Sequence, residues 1–201
     1  TRNVETGAGD SGDTDIIYLT GVNQSHTGVE VEAKVALHEM VDVDFAFSKG
    51  NWFFDGDAKG DYLEQEYNED GQIIGQMTTE YVYALNNLKV GDMPQTAYVG
   101  GLTLKPIKGL NIQGLLKVYD DNYADWSPES REVTGDEDRA QVWKAPGYSK
   151  LDLHLSYKLP EVAGLDLTLH GHVFNALDNV YVQDAVDNSK YNGYGDKMHL
   201  A

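Results

Sequence analysis

Cysteine is absent from the 201-residue chain, which excludes disulfide scaffolds, thiolate metal sites and thiol nucleophiles together. Basic residues are scarce: 15 Lys and Arg stand against 33 Asp and Glu, a formal charge of −18 before the histidines are counted. A surface that neutralises phosphates needs clustered Lys and Arg, so this balance argues against a nucleic-acid partner. No run approaches the ~18 consecutive apolar residues of a membrane-crossing helix. The opening Thr1-Arg2-Asn3-Val4-Glu5 has neither the basic start nor the apolar stretch of a secretory leader, and with no Met at its head the chain reads as a piece of something longer.

What is present points to β structure. Hydrophobic residues make up 41% of the chain, enough to build a core, and 21 glycines and 13 tyrosines accompany only five prolines, with no long amphipathic helical pattern. Strict alternation dominates, which places successive side chains on opposite faces of a strand. Val29, Val31, Ala33, Val35 and Leu37 oppose Glu30, Glu32 and Lys34, and Val41, Val43, Phe45 and Phe47 oppose Asp42, Asp44, Ala46 and Ser48. Leu110, Ile112, Gly114, Leu116 and Val118 oppose Asn111, Gln113, Lys117 and Tyr119, with Leu115 as the exception. Leu151, Leu153, Leu155, Tyr157 and Leu159 oppose Asp152, His154, Ser156 and Lys158, and Leu165, Leu167, Leu169 and Val173 oppose Asp166, Thr168, His170 and His172. With weaker runs at 14–21, 72–86 and 95–105, the pattern predicts an all-β fold, an antiparallel meander of about eight strands.

The connections sort into two sizes. Tight links fall near 38–41, 105–109 and 159–164; long polar excursions fall at about 49–71, 86–95, 123–147 and 178–201, and the segment 129–139, rich in acid, reads as a mobile loop. Short and long connections on alternate ends suit a partial transmembrane β-barrel, whose turns are short on one side of the membrane and long on the other. A water-soluble β-sandwich shows the same alternation, its charged face in solvent. No domain boundary stands out, so residues 1–201 are read as one unit.

Chemistry-bearing constellations are few. His170 and His172 share a strand face, with His154 on the neighbouring strand, and such imidazoles can grip a metal; without a third ligand of suitable spacing they read as ordinary polar side chains. Asp55, Asp57, Asp61 and Glu66, around Gly60, match part of a calcium-loop spacing, but Lys59 occupies a ligand position and no helix pattern flanks it. Whether these carboxylates bind a divalent cation is open, and Asp184, Asp187 and Asn188 form a weaker candidate. No nucleophile elbow or zinc-protease helix motif is present, so no catalytic, cofactor or metal residue is assigned, and the chain reads as a non-enzyme. Trp52, Phe53, Phe54, Tyr62, Tyr67, Tyr123, Trp126, Trp143 and Tyr148 lie in the excursions. Those at strand ends (Trp52, Trp143, Tyr148) suit an interfacial girdle, and those deeper in loops (Tyr67, Trp126) suit either that girdle or stacking on a ligand, two readings the sequence does not separate.

Four segments carry a family resemblance. They are His26-Thr27-Gly28-Val29-Glu30-Val31-Glu32; Val90-Gly91-Asp92-Met93-Pro94-Gln95 with Leu104-Lys105-Pro106; Tyr119-Asp120-Asp121-Asn122-Tyr123-Ala124-Asp125-Trp126 with Ala145-Pro146-Gly147-Tyr148-Ser149-Lys150-Leu151-Asp152; and Val173-Phe174-Asn175-Ala176-Leu177-Asp178-Asn179-Val180-Tyr181. In this order they resemble the C-terminal barrel of TonB-dependent outer-membrane receptors, most similar to those of the Bacteroidota. The resemblance implies a segment lacking the plug and the closing strand. It further implies residence in the outer membrane of a Gram-negative bacterium, contact with outer-membrane lipid, and energy from the inner-membrane TonB complex acting through the missing plug. The cargo it implies is a scarce small-molecule nutrient, a ferric siderophore or other iron chelate by default. The alternative from a different class is a water-soluble all-β binding or adhesion module of carbohydrate-binding type.

Overall fold

The computed structural model describes residues 2–4, 15–68, 72–135, 139–161, 164–187 and 198–200. Its strands, in chain order, are β1 (Arg2–Val4), β2 (Asp15–Thr20), β3 (Gln24–His38), β4 (Val41–Phe54), β5 (Ala58–Tyr67), β6 (Ile73–Tyr83), β7 (Thr96–Leu104), β8 (Leu110–Asp120), β9 (Asn122–Tyr123), β10 (Asp125–Trp126), β11 (Lys144–Ala145), β12 (Tyr148–Lys158), β13 (Thr168–Val173), β14 (Ala185–Asp187) and β15 (Met198–Leu200). One helical turn, α1 (Pro128–Arg131), interrupts them. The fold is all-β.

The main sheet has six strands in the order β13-β12-β8-β7-β4-β3, every neighbour antiparallel. Among the described residues no strand pairs with the outer edge of β3 or β13, so the sheet is open. The links β3–β4, β7–β8 and β12–β13 are short and lie at one end, and the two long connections, 55–95 and 121–147, lie at the other.

The chain departs from the expected single meander in three places. First, β2 and β6 belong to a second sheet, ordered β1-β2-β5-β6, and β5 falls inside what reads in sequence as a polar excursion. Its glycine and charges hide a strand that is held by pairing with β6 from Ala58↔Tyr83 onward and anchored by the fully buried Ala58. Second, β13 begins at Thr168, and Leu159 N donates to Leu167 O at 2.9 Å, so the link from β12 reaches as far as residue 167. Third, the start of the 129–139 segment is docked. Ala84 N donates to Arg131 O and Val133 N to Val82 O, both at 2.8 Å, and the Arg131 side chain, 1% exposed, donates through Nη1 to Ala140 O. Residues 136–138 lie outside the described residues.

The buried core does not lie beneath the main sheet. Phe54, Ala58, Tyr83, Leu85, Leu88, Trp126 and Val142 form it, all from the ends of β4, β5 and β6 and from the long connections. Trp126 meets Phe54 edge-on at 6.3 Å and Tyr83 at 5.9 Å. Burial, reinforced by the charge of Glu132, pushes the Tyr83 phenol up to about 12. Gln95, 2% exposed, ties the 86–95 connection to β4: its Oε1 accepts from Trp52 N and its Nε2 donates to Trp52 O, both at 2.9 Å. Gly91 is required by close approach, since a Cβ there would lie 2.7 Å from the backbone of Ala124. Gly109, at φ +87°, supplies the left-handed turn between β7 and β8.

Candidate functional site

The register of the main sheet gathers the alternating side chains into two continuous faces. One row runs Val43, Leu102, Gly114, Leu153, Val173 across β4, β7, β8, β12 and β13, and the next runs Phe45, Gly100, Leu116, Leu151. On β3, Val31 sits opposite Phe47 and Val35 opposite Val43, extending the same face. The opposite face carries Glu30, Glu32 and Lys34, then Asp42 and Asp44, Thr103, Asn111, Gln113 and Lys117, Lys150, Asp152 and His154, and His170 and His172. Leu115, the sequence exception, stands on this polar face over Gly101, where an added Cβ would be 2.9 Å from Leu115 Cδ2.

Burial on the two faces is the reverse of what water demands. In the central strands Phe45, Leu102, Leu116 and Leu153 are 41–46% exposed, whereas Asp152 and Asp42 on the polar face are 3% and 8% exposed; the edge strands β3 and β13 are open on both faces. The apolar face leaves on the order of 1,000 Å² uncovered, against the roughly 300–600 Å² of the largest patch on a typical water-soluble monomer. The polar face is knitted by ion pairs. Lys117 Nζ donates to Asp152 Oδ2 at 2.7 Å, Lys105 reaches Asp42 at 2.6 Å, and Lys34 reaches Asp44 at 3.2 Å.

After β13 the chain folds back along the polar face through a turn that its own side chains close. Asn175 and Asp178 adopt left-handed φ of 50° and 52°, which Asn and Asp tolerate better than other non-glycine residues. Asn175 Nδ2 donates to Asn179 O at 3.0 Å, Asn179 Nδ2 donates to Ser149 O at 2.8 Å, and Asn175 N donates to Asp152 Oδ1 at 2.9 Å. The turn delivers Tyr181 onto Tyr148, ring planes 9° apart at 4.2 Å, with Tyr119 a further 5.0 Å from Tyr148. Lys150 Nζ lies 5.9 Å from the Tyr119 ring and 5.7 Å from the Tyr181 ring. Beside this stack, a groove of about 680 Å³ is lined by Pro146, Gly147, Tyr148 and residues 180–184. An aromatic stack with a cation beside a groove suits a planar or sugar-like ligand, and only the register and the 175–179 turn reveal it.

The loop end is pinned electrostatically. Lys144 Nζ donates to Asp121 Oδ1 at 2.7 Å, and Thr96 Oγ1 donates to Asp121 Oδ2 at 2.6 Å. These bonds, Lys144 first, hold the Asp121 carboxyl below the usual carboxylate range, and the same partners, Asp121 and then Asp120, raise the Lys144 amine.

Within the calcium-loop spacing, Asp57 and Lys59 have partners of their own. Asp57 accepts from Leu85 N and Asn86 N through Oδ1 at 3.0 and 2.9 Å, while Asp61 stands on β5 opposite Glu80, and Lys59 pairs with Glu80 at 2.9 Å. Asp55 and Asp57 precede β5 and Asp61 stands on it; the side chain of Glu66 lies outside the described residues, as do those of Tyr62, Tyr67 and Asp187 and the whole of Asn188. Trp126, for which the sequence leaves both an interfacial girdle and stacking on a ligand open, is 2% exposed in the core. Trp52 and Tyr148 stand on the polar face, Trp52 stacked on His26 at 5.4 Å, and the apolar face carries the aromatic pair Phe47 and Tyr98 at 5.0 Å instead. The histidines do come together. His154 and His172 are directly opposite, their Nδ1 atoms 2.8 Å apart, with His170 stacked on His172 at 6.3 Å. Among the described residues no group of three or more His, Asp or Glu side chains is placed to hold a metal.

No known family model, curated protein or solved structure matches the chain.

Proposed function

We propose that the chain is a section of the wall of a TonB-dependent outer-membrane receptor and serves the active uptake of a scarce nutrient, by default a ferric siderophore or other iron chelate. The observation that carries the wall reading is the inverted burial of the main sheet: an apolar face open across six strands, backed by a face of paired charges. In a bilayer the open face meets acyl chains and the charged face lines a hydrated lumen. Strand length supports this reading, since β7 has nine residues and β8 and β12 eleven, within the ~9–11 of a membrane-crossing strand. The segregation of short and long connections to opposite ends supports it as well. The transporter class rests on the four-segment resemblance, and the free edges of β3 and β13 require neighbouring strands for closure.

In this reading Tyr119, Tyr148, Tyr181 and Lys150 stand at the loop-side mouth of the lumen, where an incoming ligand first meets ordered groups. The lumenal charges hold a plug by hydrogen bonds, and energy from the inner-membrane complex rearranges that plug to release cargo. The same tyrosine stack would serve the alternative, a water-soluble carbohydrate-binding module, but that module must first cover the apolar face.

Cell fractionation with an antibody to the chain tests the proposal. An outer-membrane band several times the 22.2 kDa of this chain, with uptake of an iron chelate lost on deletion, is the expected result. A band of the chain's own mass in a water-soluble fraction would overturn it.

A further inference from the structure

We infer that His154 and His172 form a two-imidazole site for a divalent late first-row transition ion of the copper or nickel type. The inference rests on the β12–β13 register and does not require the membrane reading. The two residues face each other across the ladder on the polar side, His154 half-buried and His172 exposed. Their Nδ1 atoms are 2.8 Å apart, so in the metal-free protein one ring donates a proton and the other accepts it.

To take up a metal, each ring turns so that its Nδ1 lone pair leaves the line between the two nitrogens and converges on one ion. Two nitrogens each about 2.0–2.1 Å from one ion and at a right angle to each other lie about 2.9 Å apart, whereas a tetrahedral angle opens the separation to about 3.3 Å. The 2.8 Å spacing is that of the hydrogen bond itself and places both nitrogens within reach of one ion, and the affinity of nitrogen ligands for divalent first-row ions peaks at Cu(II), which favours the copper or nickel type. On binding, the donating ring moves its proton from Nδ1 to Nε2, so both Nδ1 lone pairs face the ion and no net proton is released.

The surroundings favour the ion. The Phe174 ring lies beside the pair, 5.8 Å from the His154 ring and 6.1 Å from the His172 ring. A chain of charge −18 concentrates cations at its surface. Two ligands leave adjacent coordination positions to water, so the site accepts either the hydrated ion or a metal complex with two open neighbouring positions.

The test is a titration of the full-length protein, purified from the fraction in which it resides, with Cu(II) alone, followed by electron paramagnetic resonance. The expected result is one ion per chain coupled to two imidazole nitrogens. His154→Asn and His172→Asn should each weaken binding by at least the about 10–100-fold that loss of a mere supporting partner costs, and His170→Asn should leave it unchanged. Coupling to fewer than two nitrogens would overturn the inference, as would unaltered affinity in the His154→Asn/His172→Asn double variant or an equal loss from His170→Asn. Because the nitrogen count is read on the wild-type protein, the inference remains testable where a variant does not fold.

Discussion

Placing a lysine on the apolar face separates lipid from water directly. Leu153 lies in the central row with Val43, Leu102, Gly114 and Val173, and 41% of it is exposed. If that row faces the bilayer midplane, Leu153→Lys costs about 2–4 kcal/mol, a shift of roughly 30- to 1,000-fold in the folding equilibrium. Leu169, opposite Tyr157, stands four residues further along β12, about 13 Å toward the short-turn end, where the same substitution costs only about 0–1 kcal/mol. On the polar face, Gln113→Lys, opposite His154, enters a hydrated surface and changes stability by about 0.5 kcal/mol or less. Equilibrium refolding of the full-length protein into phospholipid vesicles across a denaturant series reads all three. The reasoning predicts a cost that depends on both face and depth. Were all three substitutions within about 0.5 kcal/mol of one another, the apolar face would be meeting water and the account would be refuted.

Three further outcomes are expected. Asp152→Ala removes the acceptor of both Lys117 Nζ and Asn175 N and should cost about 1.5–3 kcal/mol while freeing the 175–179 turn to proteolysis, with Asp152→Asn costing less. Because the Asp121 carboxyl is held low in the folded chain, the stability it supplies is complete above the ordinary carboxylate pKa of about 3.9 and is lost as pH falls through its depressed folded value. The raised Lys144 amine gives the opposite limb, complete below about 10.4 and lost as pH rises through its folded value; hydrogen exchange across the β9–β11 pair should show both limbs, and Lys144→Met should abolish the alkaline limb and shrink the acid limb, which Thr96 still supports. Gly91→Ala forces a Cβ against the Ala124 backbone and should cost about 1–3 kcal/mol, loosening the 86–95 connection, as limited proteolysis will report.

The sheet was legible where one physical rule acts alone. The odd–even runs of β3, β4, β8 and β12 stood out because one face of each is uniformly apolar, and period two follows from strand geometry. What the sequence hid depends on contacts between distant segments. The chain at β5 looks polar, and it becomes a strand because β6 pairs with it and Ala58 and Phe54 pack beneath the long connections. Trp126 reads as a girdle or ligand-stacking aromatic in an acidic stretch, yet the core that encloses it comes from residues as far away as Phe54 and Val142. The histidines were placed on the correct face, but a turn read as ending at 164 gives the wrong partner. Only its extension to 167 sets His172 opposite His154. The tyrosine stack needed the same register and the closed turn from Asn175 to Asn179.

The central claim is that odd-numbered side chains of β12 meet lipid while even-numbered ones line a lumen. Single spin labels placed in turn at 151 through 157 in the membrane-embedded full-length protein measure this residue by residue, through collision with oxygen dissolved in lipid and with a water-soluble nickel chelate. The account predicts a strict period of two, with Leu151, Leu153, Leu155 and Tyr157 positions open to oxygen and Asp152, His154 and Ser156 positions open to the chelate. Odd positions reached freely by the chelate, or no alternation at all, would contradict it.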